Sequence, residues 1–158
     1  MGTEACILKE HEKYTPEKLL ADAIVAAFHA DVKLHFTNIK FFEDGRFRRT
    51  ILNIMDDPND HQIIFNVMAK DRPEMFFYDY EYVGLDSNRK LYCVGYIEDV
   101  YGVDEILFRF IYEYLKINPH DYFWVSDFEW VYRWEDMQKF KSLPYDPYWY
   151  QTNPKLWK

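Results

Sequence analysis

The sequence predicts an α+β domain: an N-terminal helix, a five-stranded antiparallel meander, then one or two helices and an aromatic C-terminal arm. The chain has 158 residues, the length of one domain, and 49% of them are apolar, enough for a sizeable core. One early segment has helical periodicity, whereas five later runs have strand character and are joined by short turns. Short connections favour antiparallel neighbours, and helices on one sheet face bury both elements.

The first half of the chain is predicted to hold one helix and most of the strands. Residues 1–13 are predicted to be a loose lead-in. Thr15 then serves as helix N-cap with Pro16 at the first helical position, and apolar residues recur at helical spacing to about Ala30. An Asp-Gly turn in residues 43–46 separates the first two strands. The five predicted strands are residues 32–42, 47–55, 62–69, 75–83 and 90–97.

A second helix and a short strand are predicted after the meander. The helix begins with Asp104 as N-cap, and its apolar face repeats at helical spacing. It ends near Asn118, because proline disfavours a helical residue before it. Residues 122–125 are predicted to form the strand.

Residues 126–158 contain one segment with two possible secondary structures and a proline-rich tail. Residues 126–129 match a capping box, so residues 128–140 are predicted to be a third helix. The alternative is a strand, because the start of that segment is aromatic and β-prone. Three prolines exclude a regular helix from residues 144–158, so an extended arm whose rings dock on the body is expected.

Negative charge concentrates in one part of the chain. The formal net charge is −8, and residues 71–105 contain nine acidic residues but only three basic ones. This sign opposes phosphate binding, so a nucleic-acid partner is disfavoured. A negative field instead attracts partners with a basic surface and raises their association rate.

The same region alternates tyrosines with acids, which predicts where the exposed surface lies. Tyr78, Tyr80 and Tyr82 alternate with Asp79 and Glu81, so in a strand the rings share one face and the carboxylates the other. Helices cover one face of such a sheet, and the tyrosine face is the expected core face. The partner-binding residues predicted from this arrangement and from the flanking acids are Asp79, Glu81, Asp86, Tyr96, Glu98 and Asp99.

Motifs for catalysis or for cofactors are missing from the sequence. There are three serines without a G-x-S-x-G motif, five unclustered glycines, and no histidine pair with zinc-ligand spacing. Residues 56–61 combine carboxylates with a histidine, but a β-turn explains this composition better than a metal site. We therefore predict no cofactor, no metal and no catalytic residue, and a non-enzymatic role is favoured.

The two cysteines and the hydropathy pattern bear on location. Cys6 and Cys93 belong to no CxxC pair, so free thiols in a reducing cytoplasm are expected. No apolar run approaches the length of a membrane span, and the N-terminus lacks a signal-peptide core. A cytoplasmic protein with no membrane partner is the prediction.

Three functional hypotheses follow from these patterns. The leading one is a small binding protein that acts through an acidic, aromatic surface, in its most concrete form an immunity or inhibitor protein for a basic bacterial toxin. The second is an intracellular module that binds a small molecule or carbohydrate in an aromatic-lined pocket. The third is a structural protein that pairs chains. The sequence does not distinguish between oligomeric states.

Overall fold

The computed structural model describes residues 2–70 and 80–156. These residues form an α+β fold of three α-helices and six strands, which confirms the predicted fold class but corrects the predicted count of five strands. Among them, no helix is long and apolar enough to span a membrane. The elements are β1 (Ala5–Glu10), α1 (Pro16–Ala30), β2 (Lys33–Phe41), β3 (Phe47–Asp56), β4 (His61–Met68), β5 (Leu91–Ile97), α2 (Asp104–Ile117), β6 (Tyr122–Val125) and α3 (Trp134–Ser142).

The strands form one antiparallel sheet in the order β2-β3-β4-β5-β1-β6. The predicted lead-in over residues 1–13 is therefore wrong, because β1 lies between β5 and β6. Residues 5–9 are all buried, since Cys6 and Leu8 face one side of the sheet and Ala5 and Ile7 the other. A strand covered on both faces lacks the apolar–polar alternation that identifies a half-exposed strand.

Two cores lie on opposite faces of the sheet. The larger one unites all three helices with β3, β4 and parts of β1, β5 and β6. The smaller one covers the other face of β1 and β5 with Tyr80, Val83, Leu85 and Val131. The helices thus pack on one face as predicted, but loop residues bury part of the second face.

The fourth predicted strand, residues 75–83, does not end as a strand. Residues 71–79, including Tyr78 and Asp79, lie outside the described part of the chain. Glu81–Val83 is a 3₁₀ turn that ends at Gly84, whose φ is +86°. The turn breaks the period of two, so Tyr80 is 2% exposed while Tyr82 is 56% exposed. Both rings contact the Trp124 ring, at 5.5 and 6.0 Å between centroids, but only Tyr80 is buried.

The segment after β6 is neither the predicted long helix nor a full strand. Residues 126–129 form a turn, so the capping-box prediction is wrong. Tyr132 then pairs with Phe123 through two backbone hydrogen bonds of 2.8 and 2.9 Å. Because that bridge folds the chain back onto β6, α3 begins only at Trp134, where the Asp136 carboxylate accepts a hydrogen bond from the Arg133 N–H at 2.8 Å.

The C-terminal segment is anchored to the body by buried rings. Trp149 is 1% exposed, and its indole N–H donates to the Asp104 carbonyl at 2.9 Å. The Tyr132 hydroxyl contacts the carbonyl oxygens of Trp149 and Thr152 at 3.1 and 2.8 Å. Short 3₁₀ turns replace a regular helix here, as the prolines require.

Cys6 and Cys93 form a disulfide between β1 and β5, with their Cα atoms 5.7 Å apart. The prediction of free thiols is wrong. The two cysteines are 87 residues apart in sequence, and the pairing of β1 with β5 brings them together. With the disulfide formed, cysteine usage no longer supports a reducing compartment.

Candidate functional site

The predicted partner-binding residues fall at two separate places. Asp86 precedes β5, whereas Tyr96 is its penultimate residue and Glu98 and Asp99 follow it. The strand has seven residues, so about 20 Å separates Asp86 from Glu98 at the usual rise. Glu81 stands between Tyr80 and Tyr82, whose rings contact Trp124 of β6. The structure therefore does not assemble them into one surface.

The group that follows β5 belongs to a larger cluster, the acidic end, which consists of Glu4, Glu98, Asp99 and Asp127. It forms because β1 begins where β5 and β6 end, as the pairs Ala5↔Ile97 and Ala5↔Val125 require. All four side chains belong to exposed residues.

Thr3 holds the loops of the acidic end together. Its N–H and its hydroxyl lie 3.2 Å from carboxylate oxygens of Asp99 and Asp127, respectively. Its carbonyl accepts a hydrogen bond of 2.9 Å from the Val100 N–H. The three chain segments at this end are therefore tied to one another, which fixes the spacing of the carboxylates.

Two tyrosines accompany these carboxylates. Burial, followed by hydrogen bonding to Glu4 and the charges of Glu4 and Glu98, raises the pKa of the Tyr96 hydroxyl. Tyr101 is 79% exposed, and its N–H donates to the Asp99 carboxylate at 2.9 Å. The acidic end thus presents a large exposed ring beside negative charge.

Within the part of the chain that the structure describes, the carboxylates of the acidic end form no salt bridge. The salt bridges in residues 2–70 and 80–156 join other acids to Lys or Arg. The four charges are therefore not compensated by a described Lys or Arg, and they project a negative field into solvent. Glu4, Asp127 and Tyr101 were missed from the sequence because residues 1–13 gave no strand signal, so their convergence with β5 could not be foreseen.

Glu81 and Asp86 instead stabilise local turns. The Ser87 hydroxyl donates to the Glu81 carboxylate at 3.0 Å. The Asp86 carboxylate caps the following 3₁₀ turn by accepting from the Asn88 N–H at 2.9 Å. These contacts give both acidic residues a structural role in the turns.

A cleft of about 790 Å³ lies beside Asp86, and both signs of charge line it. Arg89 donates to the Glu10 carboxylate from Nε at 3.0 Å, and its guanidinium lies 5.1 Å from the Tyr122 ring centroid. The hydrogen bond from Arg89 holds the pKa of Glu10 below its ordinary value. Because its arginine is already neutralised, this cleft offers weaker charge selectivity than the acidic end.

A buried ionic network lies near the end of β1. The Lys9 ammonium contacts the Asp121 carboxylate at 2.9 Å and the Asn118 side-chain oxygen at 3.3 Å. The Tyr114 hydroxyl donates to the same carboxylate at 2.9 Å. Burial raises the pKa of Asp121 in spite of these bonds. Lys9 and Asp121 are 8% and 6% exposed, so the network joins β1 to the end of α2 rather than meeting a ligand.

The acid-rich segment at residues 56–61 forms a turn. Asp57–Asn59 is a 3₁₀ turn, and the Asp56 carboxylate accepts from the Asn59 amide at 2.8 Å. Asp57 pairs with Lys33 at 2.6 Å. In the described part of the chain, no three His, Cys, Asp or Glu side chains are placed to hold a metal ion.

An aromatic pocket of about 390 Å³ opens between α2, α3 and the C-terminal segment. Phe108, Phe140, Tyr145 and Trp149 provide its rings. The second hypothesis from the sequence expects an aromatic-lined pocket, and this one depends on how the C-terminal segment docks. The available signal was the density of aromatic residues among the prolines of that segment.

The chain was compared with protein families, curated proteins and solved structures. No family model, curated protein or solved structure matches it. The geometry of the acidic end and of the pocket is therefore the basis for a functional assignment.

Proposed function

We propose that this protein is a binding module whose acidic end recognises another protein with a basic surface. The observation that carries the proposal is a set of four carboxylates that form no salt bridge with any described residue, together with Tyr101, which is bonded to Asp99 and is 79% exposed. Uncompensated charge steers a basic partner during encounter, and an exposed tyrosine can be buried as an anchor on contact.

An immunity or inhibitor protein for a basic bacterial toxin is the most concrete form of this proposal. Toxins that act on nucleic acid need basic surfaces to contact phosphate, and an acidic end can cover such a surface. The net charge of −8 adds a favourable long-range contribution. A cytoplasmic location stays a prediction of this proposal, although the Cys6–Cys93 disulfide is more typical of an oxidising compartment.

Affinity capture from the source cells, followed by binding kinetics with the captured partner, tests the proposal. The double variant Glu98→Lys/Tyr101→Ala should weaken binding by about 30-fold or more, since one anchor residue contributes about 2 kcal/mol. The association rate should fall steeply with salt. Glu43→Lys is the matched control, because Glu43 is exposed in the β2–β3 turn, away from the acidic end.

Two outcomes would count against the proposal. One is the absence of any stoichiometric partner with a basic surface. The other is a partner whose association is insensitive to salt and responds equally to Glu98→Lys and Glu43→Lys. A protein that pairs with itself, the third hypothesis, would instead show a concentration-dependent mass in light scattering.

A further inference from the structure

The aromatic pocket has the size and enclosure of a small-molecule site. Its volume of about 390 Å³ lies within the range of roughly 300–1,000 Å³ that is usual for such sites. Phe108 of α2 is 8% exposed, and Leu143 and Pro144 add apolar surface at the mouth. A ligand that enters would leave water for a largely apolar environment.

The rings of the pocket stand in different planes. The Phe108 ring is 5.2 Å from Trp149 at 81° and 6.3 Å from Tyr145 at 74°, measured between centroids. Phe140 is 5.9 Å from Trp149 at 71°. In each of these contacts the edge of one ring meets the face of another, and ring faces carry negative potential.

The ring framework is held in place before any ligand enters. Trp149 is 1% exposed, and its indole N–H is bonded to the Asp104 carbonyl at 2.9 Å. Tyr145, at 49% exposure, donates its hydroxyl to the Asp104 carboxylate. A pre-formed site avoids part of the entropy that a ligand would otherwise lose when it orders its binding site.

Three carboxylates act on Tyr145, and one of them, Glu105, also pairs with Arg109 at 3.4 Å. Burial, then the hydrogen bond to Asp104 and the charges of Asp104, Glu105 and Asp146, raises the pKa of the Tyr145 hydroxyl. Among the described residues, the pocket is lined by one cation, Lys141, and one carboxylate, Asp146. Its ammonium lies 4.6 Å from the Tyr112 ring centroid, so it is already engaged with another π face.

We propose that this pocket binds a small organic cation, such as a quaternary ammonium compound with an apolar body. Ring faces attract cations, and Asp146 at the mouth adds an opposite charge. An anion would meet the Asp146 carboxylate in the lining, and a sugar would need more hydrogen-bonding groups than this apolar lining supplies. The inference is independent of the proposed partner binding at the acidic end.

Titration calorimetry with choline and with its neutral isostere 3,3-dimethyl-1-butanol tests the proposal on the full-length protein. Choline should bind saturably, and the isostere at least tenfold more weakly, because the two differ in charge but hardly in shape. Tyr145→Leu should weaken choline binding at least tenfold. Tyr148→Leu is the matched control: Tyr148 is 65% exposed and does not line the pocket.

A second variant keeps the test decisive if Tyr145→Leu unfolds the C-terminal segment. Asp146→Asn retains the acceptor for the Tyr148 N–H at 2.9 Å but removes the charge. It should weaken choline binding without changing the circular dichroism spectrum. The proposal is overturned if choline does not saturate, if the isostere or glucose binds as well as choline, or if Tyr148→Leu and Tyr145→Leu lose affinity equally.

Discussion

Reduction of the Cys6–Cys93 disulfide should destabilise the fold strongly. The bond joins β1 to β5 beside the smaller core, and Cys6 is 2% exposed. Once the bond is cut, the unfolded chain gains the freedom of the segment between the cysteines, while the sheet pairing of the native state can remain. The loss therefore acts mainly through the unfolded state.

The size of the effect follows from the length of the closed loop. A sequence separation of 87 residues corresponds to about 4–5 kcal/mol in the chain-entropy model. The total stability of a domain is only about 5–15 kcal/mol. With a urea m-value of about 2 kcal/mol/M, the unfolding midpoint should fall by about 2 M.

Urea unfolding followed by tryptophan fluorescence, with and without a phosphine reductant, measures this shift. Mass spectrometry after thiol alkylation establishes the redox state of each sample. The Cys6→Ala/Cys93→Ala variant should unfold near the midpoint of the reduced protein and should not respond to reductant. The reasoning is refuted if oxidised and reduced proteins share one midpoint.

Three further substitutions probe single features of the fold. Glu10→Gln should flatten the acid limb of a stability–pH curve. The hydrogen bond from Arg89 lowers the pKa of Glu10 in the folded state. The stabilisation from Glu10 is therefore present above about pH 4.3 and is lost as the pH falls through the folded pKa. Tyr132→Phe should cost about 1–3 kcal/mol in urea melts, because its buried hydroxyl contacts an indole N–H and two backbone carbonyls; no loss would show that water replaces it. Gly95→Ala should lower the free energy of unfolding by about 1–3 kcal/mol more than Gly45→Ala. Both glycines have positive φ, but only at Gly95 would a Cβ meet a phenylalanine ring, at 2.4 Å. Equal shifts in melting temperature would contradict that clash.

Elements with strong local signals agree with the sequence analysis. The Thr15 hydroxyl accepts from the Lys18 N–H at 3.2 Å, and α1 ends at Ala30 as the apolar spacing predicts. The Asp-Gly turn joins β2 to β3, and Gly45 has the left-handed φ of +87° that this turn demands. In each case the deciding contacts lie within a few residues of one another.

Elements whose conformation depends on distant partners were missed. β1 is recognisable only once it pairs with β5 and β6 and once the helices and loop residues bury its two faces. Glu81–Val83, predicted as the end of a strand, is instead a 3₁₀ turn, because Tyr80, Val83 and Leu85 fill the smaller core. Tertiary packing here overrides the strand preference of alternating tyrosines.

For the candidate site, the sequence by itself determined composition: excess negative charge, abundant aromatic residues and the absence of catalytic motifs. Only the tertiary structure decided which charges meet. It separates Asp86 from Glu98 along β5 and brings Glu4 and Asp127 to Asp99 at the acidic end. The physical reason is that sheet pairing places residues by strand register rather than by distance along the chain.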